Sequence, residues 1–331
     1  MYDYINGRDP MEEEPAPRRR FRLFDSQREG RGVSKEDARI TPDLGGFFRS
    51  FGRNFTKLLS VNLLTVVGNF PLLFAILALS GIFKTQYMTP VSGYFVDLHS
   101  LMLSGGTQDP AAMAIFGVLG TQMENSAMTT TSYVLFGLSA LTLFTFGLTK
   151  VGTTYILRSL VRGEPVFMLS DFKYAAKRNL RQAIPMGIID IVALILFPLN
   201  VFILLQSGGG TLFESILLWT NVAMALIYFF MRPYIYLQMV TFDLKLTKII
   251  KNALIFSLLG FKRNILAFLG FVVLILITFV LIFGLGGALM PIGLAIPLVL
   301  LFSASSFMGA FAAWFKIKDV MIGSEEQAEE E

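Results

Sequence analysis

Six stretches of this chain are apolar over enough residues to cross a lipid hydrocarbon layer, at approximately 58–83, 132–148, 183–206, 212–231, 265–285 and 288–315. Crossing a layer roughly 30 Å thick takes about 20 helical residues, and without water only a helix or a closed barrel satisfies backbone N–H and C=O groups. The predicted fold class is therefore all-α, a polytopic membrane helix bundle with six transmembrane helices. Composition agrees, with a mean hydropathy of +0.61 and 54% hydrophobic residues against 16% charged.

A formal net charge of +4 would suit a nucleic-acid partner, so the position of the cations has to decide the matter. Of the 28 Lys and Arg residues, twelve precede the first span, seven and six follow the second and fourth, and two follow the sixth. Lys84 alone falls on the other side. This is the positive-inside pattern, and it predicts cytoplasmic N- and C-termini, membrane lipids as partners and no nucleic acid. Residues 1–57 hold no apolar stretch of signal-peptide length, so the first span is expected to be an uncleaved anchor. Trp219 and Trp314 are expected to anchor helix ends at the lipid interface.

The organisation expected along the chain follows from these spans. Residues 1–45 read as a largely disordered cytoplasmic tail, in which Arg18, Arg19, Arg20 and Arg22 either stay solvated or touch anionic headgroups. Residues 46–83 form the first span with its lead-in, and 84–130 an extracytoplasmic insertion punctuated by Pro90, Gly93, Gly105, Gly106 and Pro110. Its apolar part, 111–119, is too short to span and fits an interfacial helix, a re-entrant turn or a lid. Residues 131–316 hold the other five spans, and 317–331 an acidic tail. Tight glycine-rich links near 207–211 and 284–290 make spans three with four, and five with six, antiparallel neighbours.

The dipeptide Arg-Asn occurs at Arg53-Asn54, Arg178-Asn179 and Arg263-Asn264, each time leading into an odd-numbered span. Setting 84–130 aside brings the two intervals close to each other. Two readings stand: three related helical hairpins with an insertion in the first, or a dipeptide recurring by chance.

Candidate sites are few. Asp190 lies inside the third span, where an ionised carboxylate costs several kcal/mol unless it meets a cation, water or the bundle interior. It either couples transport to an ion or proton, or reaches basic residues near the cytoplasmic face. Asn62, Asn69, Asn200 and Asn221 either line a polar path or bond across helices. Pro71, Pro185, Pro198, Pro291 and Pro297 break or open spans, as in many transporters or in ordinary kinked packing. Ser305, Gly309 and Ala313 form a small-residue stripe suited to close helix packing. In the cytoplasmic connections, Arg158, Arg162, Asp171, Lys173, Lys177, Arg178 and Arg263 are expected to form a docking or lipid-facing surface.

Enzyme chemistry finds no support. With no Cys, structural disulfides, thiolate zinc sites and cysteine nucleophiles are excluded. His99, the single histidine, has no metal-ligand spacing around it, so neither metal nor cofactor is expected. The run Gly147 to Thr154 superficially matches a phosphate loop but lacks the Lys before Ser or Thr and a preceding strand. Lipase, zinc-protease and dinucleotide motifs are missing as well.

The segment GLTKVGTTYILRSLVRGEPVFMLSDFKYAAKRN, from Gly147 through Asn179, resembles the hallmark region of the YesL-like family of bacterial membrane proteins. In it a small-residue helix end leads to Tyr155, then to Arg158 and Arg162-Gly163-Glu164, Phe167 and Asp171-Phe172-Lys173. The segment FFMRPYIYLQMVTFDLKLTKIIKNALIFSLLGFKRN is similar to a later block of that family, and 21–33 with 46–71 to its longer clostridial members. The 84–130 insertion departs from the short members. The resemblance implies a location in the bacterial cytoplasmic membrane and, since members are encoded near carbohydrate importers of the ATP-binding cassette type, an association with such permease subunits. The expected function is an accessory or assembly subunit, with an autonomous small-solute carrier or channel and a membrane sensor as alternatives.

Overall fold

The computed structural model describes residues 40–90, 110–111, 122–206, 211–284 and 287–322. The tail through residue 39 with its arginine cluster, His99, the segment 112–119 and residues 323–331 lie outside the described residues.

Among the described residues the elements run α1 (Leu44–Arg53), α2 (Phe55–Gly68), α3 (Leu72–Leu79), β1 (Lys84–Pro90), β2 (Gln122–Met128), α4 (Thr130–Ser139), α5 (Thr142–Arg162), α6 (Met168–Arg178), α7 (Leu180–Gln206), α8 (Leu212–Thr241), α9 (Leu246–Leu259), α10 (Phe261–Phe283) and α11 (Met290–Ile296). A π-helical turn at Pro297–Leu301 leads into α12 (Phe302–Ile317) and a second one at Lys318–Ile322. Five helical stretches are long and apolar enough to cross a membrane: Thr130–Arg162, Leu180–Gln206, Leu212–Thr241, Phe261–Phe283 and Met290–Ile322. The pair α2 and α3 passes the same test together, bent by 65°.

That bend falls at Pro71, one of the prolines expected to break or open a span. Pro71 lacks an N–H and disfavours helical backbone at Phe70, so the ladder stops at Asn69, whose side chain donates back to the Thr65 carbonyl at 2.8 Å. Two boundaries move. The second span continues past Leu148 to Arg162 and the fourth past Met231 to Thr241, so Lys150 and Arg232 lie within spanning helices rather than in connections. A charge ends an apolar run in the sequence but does not end a helix.

One unit recurs three times: a short amphipathic helix, a one-residue break, then two spans. The breaks are Asn54 (φ −103°, ψ 11°), Asn179 (φ −104°, ψ 13°) and Gly260 (φ −91°, ψ 14°). Asn54 and Asn179 donate from their amides to the Ser50 and Ala175 carbonyls at 3.0 and 2.9 Å, bonding back to the last turn of the preceding helix. In the third unit the Arg-Asn pair is displaced by one turn, yet Asn264 still reaches back to the Ser257 carbonyl at 2.8 Å. Packing explains the displacement. A Cβ at Gly260 would lie 2.2 Å from the Tyr234 hydroxyl, which itself donates to Asn264 Oδ1 at 3.1 Å. The recurrence is thus architectural, in agreement with three related hairpins.

The start and end of the insertion are joined as an antiparallel pair, with Lys84 opposite Met128 and Pro90 opposite Gln122. Sequence reading gave no strand here. Ser132 closes the stem by donating to the Phe83 carbonyl at 3.1 Å.

The protein core sits at the end of the bundle that carries the basic residues. Leu58, Val61, Val151, Ile156, Leu157, Tyr234, Ile235, Leu237, Ile249, Phe307 and Ile317 are buried there. At the opposite end Phe202, Leu205, Leu212, Phe213 and Trp219 face outward, as lipid-facing residues do. Trp314, expected at the interface, is instead buried beneath Arg162, whose guanidinium lies 5.3 Å from its ring. In the small-residue stripe, Gly309 admits Pro233 of α8, where a Cβ would meet the Pro233 ring carbon at 2.8 Å. The stripe therefore serves contacts within the chain.

Candidate intramembrane polar site

Helices α5 and α7 cross with their backbones in contact. A Cβ on Gly147 would sit 1.9 Å from the Ala183 carbonyl oxygen, and one on Gly187 2.5 Å from the Gly147 nitrogen. Small residues permit such approach in lipid, where packing rather than the hydrophobic effect holds helices together. One turn beyond these glycines stand Lys150 on α5 and Asp190 on α7.

Asp190 is fully buried and accepts from three side chains. Arg232 of α8 lies against it, Nη2 donating to Oδ2 at 2.8 Å and Nε standing 2.6 Å from Oδ1 as an ion pair without hydrogen-bond geometry. Tyr228 donates to Oδ1 at 2.9 Å and Tyr236 to Oδ2 at 3.0 Å. Tyr228, Arg232 and Tyr236 are spaced four residues apart and share one face of α8, which α7 meets. A carboxylate has roughly four lone-pair sites, and three accept hydrogen bonds here. The close guanidinium and the three donors favour the ionised pair, and the pair brings no net charge into the apolar layer.

Lys150 adds a further cation. It is half-buried, within electrostatic range of both Arg232 and Asp190, and among the described residues no carboxylate lies within 4.0 Å of it. When Lys150 is protonated, the cluster of Lys150, Asp190 and Arg232 carries one positive charge in excess.

The other intramembrane amides lie elsewhere. Asn62 is spliced into the sixth span, donating to the Pro297 and Leu298 carbonyls at 3.1 and 2.7 Å and accepting from the Ser303 N–H at 2.9 Å. A π-helical turn displaces the regular backbone pairing, and this side-chain amide supplies both a donor and an acceptor there. Asn221 donates to the Phe197 carbonyl at 3.0 Å, joining α8 to α7. Asn69 caps its own helix, and Asn200 is exposed on the outer half of α7. Four amides and one carboxylate therefore do not form a common path.

The basic connections separate in the same way. Arg158, expected on a docking surface, is buried: Nη1 donates to the Val240 carbonyl at 2.7 Å and its guanidinium lies 4.5 Å from the Tyr155 ring. It closes the C-terminal end of α8, where a cation suits the helix dipole and the orphan carbonyls. Asp171 accepts from the Phe167 N–H at 2.8 Å and so caps α6. Arg263 is half-buried. Lys173, Lys177 and Arg178 are exposed, as is Arg162, which pairs with Glu164 at 2.8 Å. Arg53 is exposed at the first break.

Sequence reasoning found Asp190 but missed Tyr228, Arg232, Tyr236 and Lys150. The missed signal was the four-residue spacing of three polar side chains on one apolar helix. Among the described residues no cluster of His, Asp and Glu could hold a metal ion.

Fold and site together define a multi-pass helical membrane protein. No family model, no curated protein and no solved structure matches the chain.

Proposed function

We propose that this chain is a non-enzymatic accessory or assembly subunit of a carbohydrate importer of the ATP-binding cassette type, in the bacterial cytoplasmic membrane with its basic end in the cytoplasm. One observation carries the docking role. Helix α6 buries only Ala175 and leaves Leu169 at 61% and Tyr174 at 51% exposed beside Lys173, Lys177 and Arg178, with Phe167 just ahead of it at 72%. Aromatic and basic side chains together on one short helix suit contact with a partner at the membrane surface. The resemblance to YesL-like proteins supports the choice of partner, and the positive-inside bias supports the orientation.

Affinity purification from mild detergent tests the partnership: permease subunits should co-purify stoichiometrically, and a partner-free monomer or homo-oligomer counts against it. Because the chain has no Cys, single cysteines introduced at Lys173 and at Lys84 report sidedness to an impermeant thiol reagent. Labelling of Lys173→Cys from outside intact cells would reverse the topology.

Lys150 favours a second reading, an autonomous carrier, because an unneutralised cation inside a bundle suits an anionic or polar solute. Proteoliposomes holding this chain alone should then take up a labelled sugar or sugar phosphate, and Lys150→Gln should abolish the uptake.

A further inference from the structure

At the elbow between α6 and α7 a cavity of about 590 Å³ opens at the basic end, lined by Lys177, Arg178 and Arg181 on one side and by Met239, Phe242 and Asp243 on the other. We propose that this cavity holds a phosphate-bearing anion.

The charge balance is the first reason. Three cations face one carboxylate, and among the described residues the ion pairs are Arg162 with Glu164 and Asp190 with Arg232, so none of the three is neutralised by another described residue. Arg178 is steadied by the Tyr174 hydroxyl, to which its Nη1 donates at 3.1 Å. Its other nitrogens remain for a ligand, and a guanidinium suits the planar, two-oxygen face of phosphate.

Construction is the second reason. The elbow is fixed by the Asn179 amide on the Ala175 carbonyl, and Gln182 donates to the Leu244 carbonyl at 2.9 Å, tying the far wall to the start of α7. The three cations thus project from a braced turn. The volume lies within the roughly 300–1,000 Å³ usual for small-molecule sites. Met239 and Phe242 give an apolar wall against which the body attached to a phosphate can lie.

Position supplies the third. Leu180 is 45% exposed next to Arg181, so the cavity lies where α7 enters the apolar layer. A phospholipid headgroup and a soluble phosphate share the chemistry that this cavity recognises, and the test separates them.

The purified full-length chain is melted in an uncharged detergent against inorganic phosphate, and native mass spectrometry follows lipid retention from phosphatidylcholine nanodiscs with or without phosphatidylglycerol. Retention of phosphatidylglycerol without a phosphate response identifies a lipid headgroup; stabilisation by phosphate identifies a soluble anion. The exposed double substitution Lys177→Gln/Arg181→Gln should weaken whichever is bound about 25-fold, at about fivefold per cation, with an unchanged melting point when neither probe is present. Removing two exposed cations of α9, Lys248→Gln/Lys251→Gln, should leave binding as it was. Binding of neither probe by the wild type, or equal losses in the two double substitutions, would overturn the site.

Discussion

The two halves of α8 are the same helix in different company. From Leu212 to Phe229 no residue is buried, and Leu212 and Trp219 are 79% and 70% exposed; from Phe230 to Val240 nearly every residue is buried, Tyr234 and Leu237 completely. Local composition does not account for this, since Arg232 and Gln238 belong to the buried half. What differs is the neighbours. The buried half is enclosed by α5, α7, α9 and α12, whose small residues and breaks bring backbones together, while the other half has lipid as its solvent. At the enclosed end Asp190, Arg158 and Tyr234 are bound by specific partners, whereas the fully buried Gln238 amide has none among the described residues; polar side chains at the lipid-facing end are few.

The sharpest way to break this contrast is at Asp190. Asp190→Asn leaves Arg232 without its counter-charge in a water-poor site, and about 3–5 kcal/mol of stability should be lost, as for other buried pairs deprived of one partner. Unfolding by titration with a denaturing detergent measures it. Replacing both members, Asp190→Leu with Arg232→Met, should recover most of that loss, because the expense lies in the orphaned charge. A double variant as unstable as the single one would mean that the pair itself holds α7 to α8.

Next in size is the α5–α7 crossing. Gly147→Val drives two methyl groups and a Cβ into the Ala183 carbonyl, and overpacking of this kind costs about 1–3 kcal/mol, here at the upper end because the obstruction is backbone. The same substitution at Gly137 of α4, where a Cβ meets nothing within 4 Å, should change the unfolding midpoint little. Equal effects at the two glycines would remove close packing as the distinction between the ends.

These expectations mark what was legible in the sequence. The six crossings could be read because apolar length is a local property, and Asp190 because a charge within such a run stands out. Its partners were not legible: Arg232 and Lys150 ended the apolar runs and were assigned to connections, although their helices continue. Arg158 and Trp314 were placed at the surface for a related reason, since both ends of α5 and α12 carry mixed residues and only the packed neighbours decide which face turns inward. The Arg-Asn recurrence left a repeat and a chance dipeptide both open, and only Tyr234 packing against Gly260 explains why the third copy is displaced. The β1–β2 stem escaped because its pairing spans a long insertion with no alternating pattern.

A smaller effect is expected where a single amide mends a helix. Asn62→Leu removes two donated bonds and one accepted bond from the π-helical turn, leaving the buried Ser303 N–H unpaired, and should cost about 1–3 kcal/mol. Amide hydrogen exchange should rise at Ser303 before it rises elsewhere in α12. Uniform acceleration along α12 would mean that Asn62 supports global packing rather than the turn.

The smallest expected difference lies between two asparagines in the lipid-facing half. Asn221 bridges to the Phe197 carbonyl, and interhelical bonds of this sort contribute about 0.6 kcal/mol on average, because the separated helices find other partners in the membrane. Asn221→Leu should therefore lower stability by about that amount. Asn200 is exposed on α7, so Asn200→Leu trades an amide facing lipid for an apolar side chain and should be neutral or slightly stabilising. The sign of that second change is the informative part: a loss on Asn200→Leu would show that this face of α7 meets something more polar than lipid, and the outer half of the bundle would then carry an interface of its own.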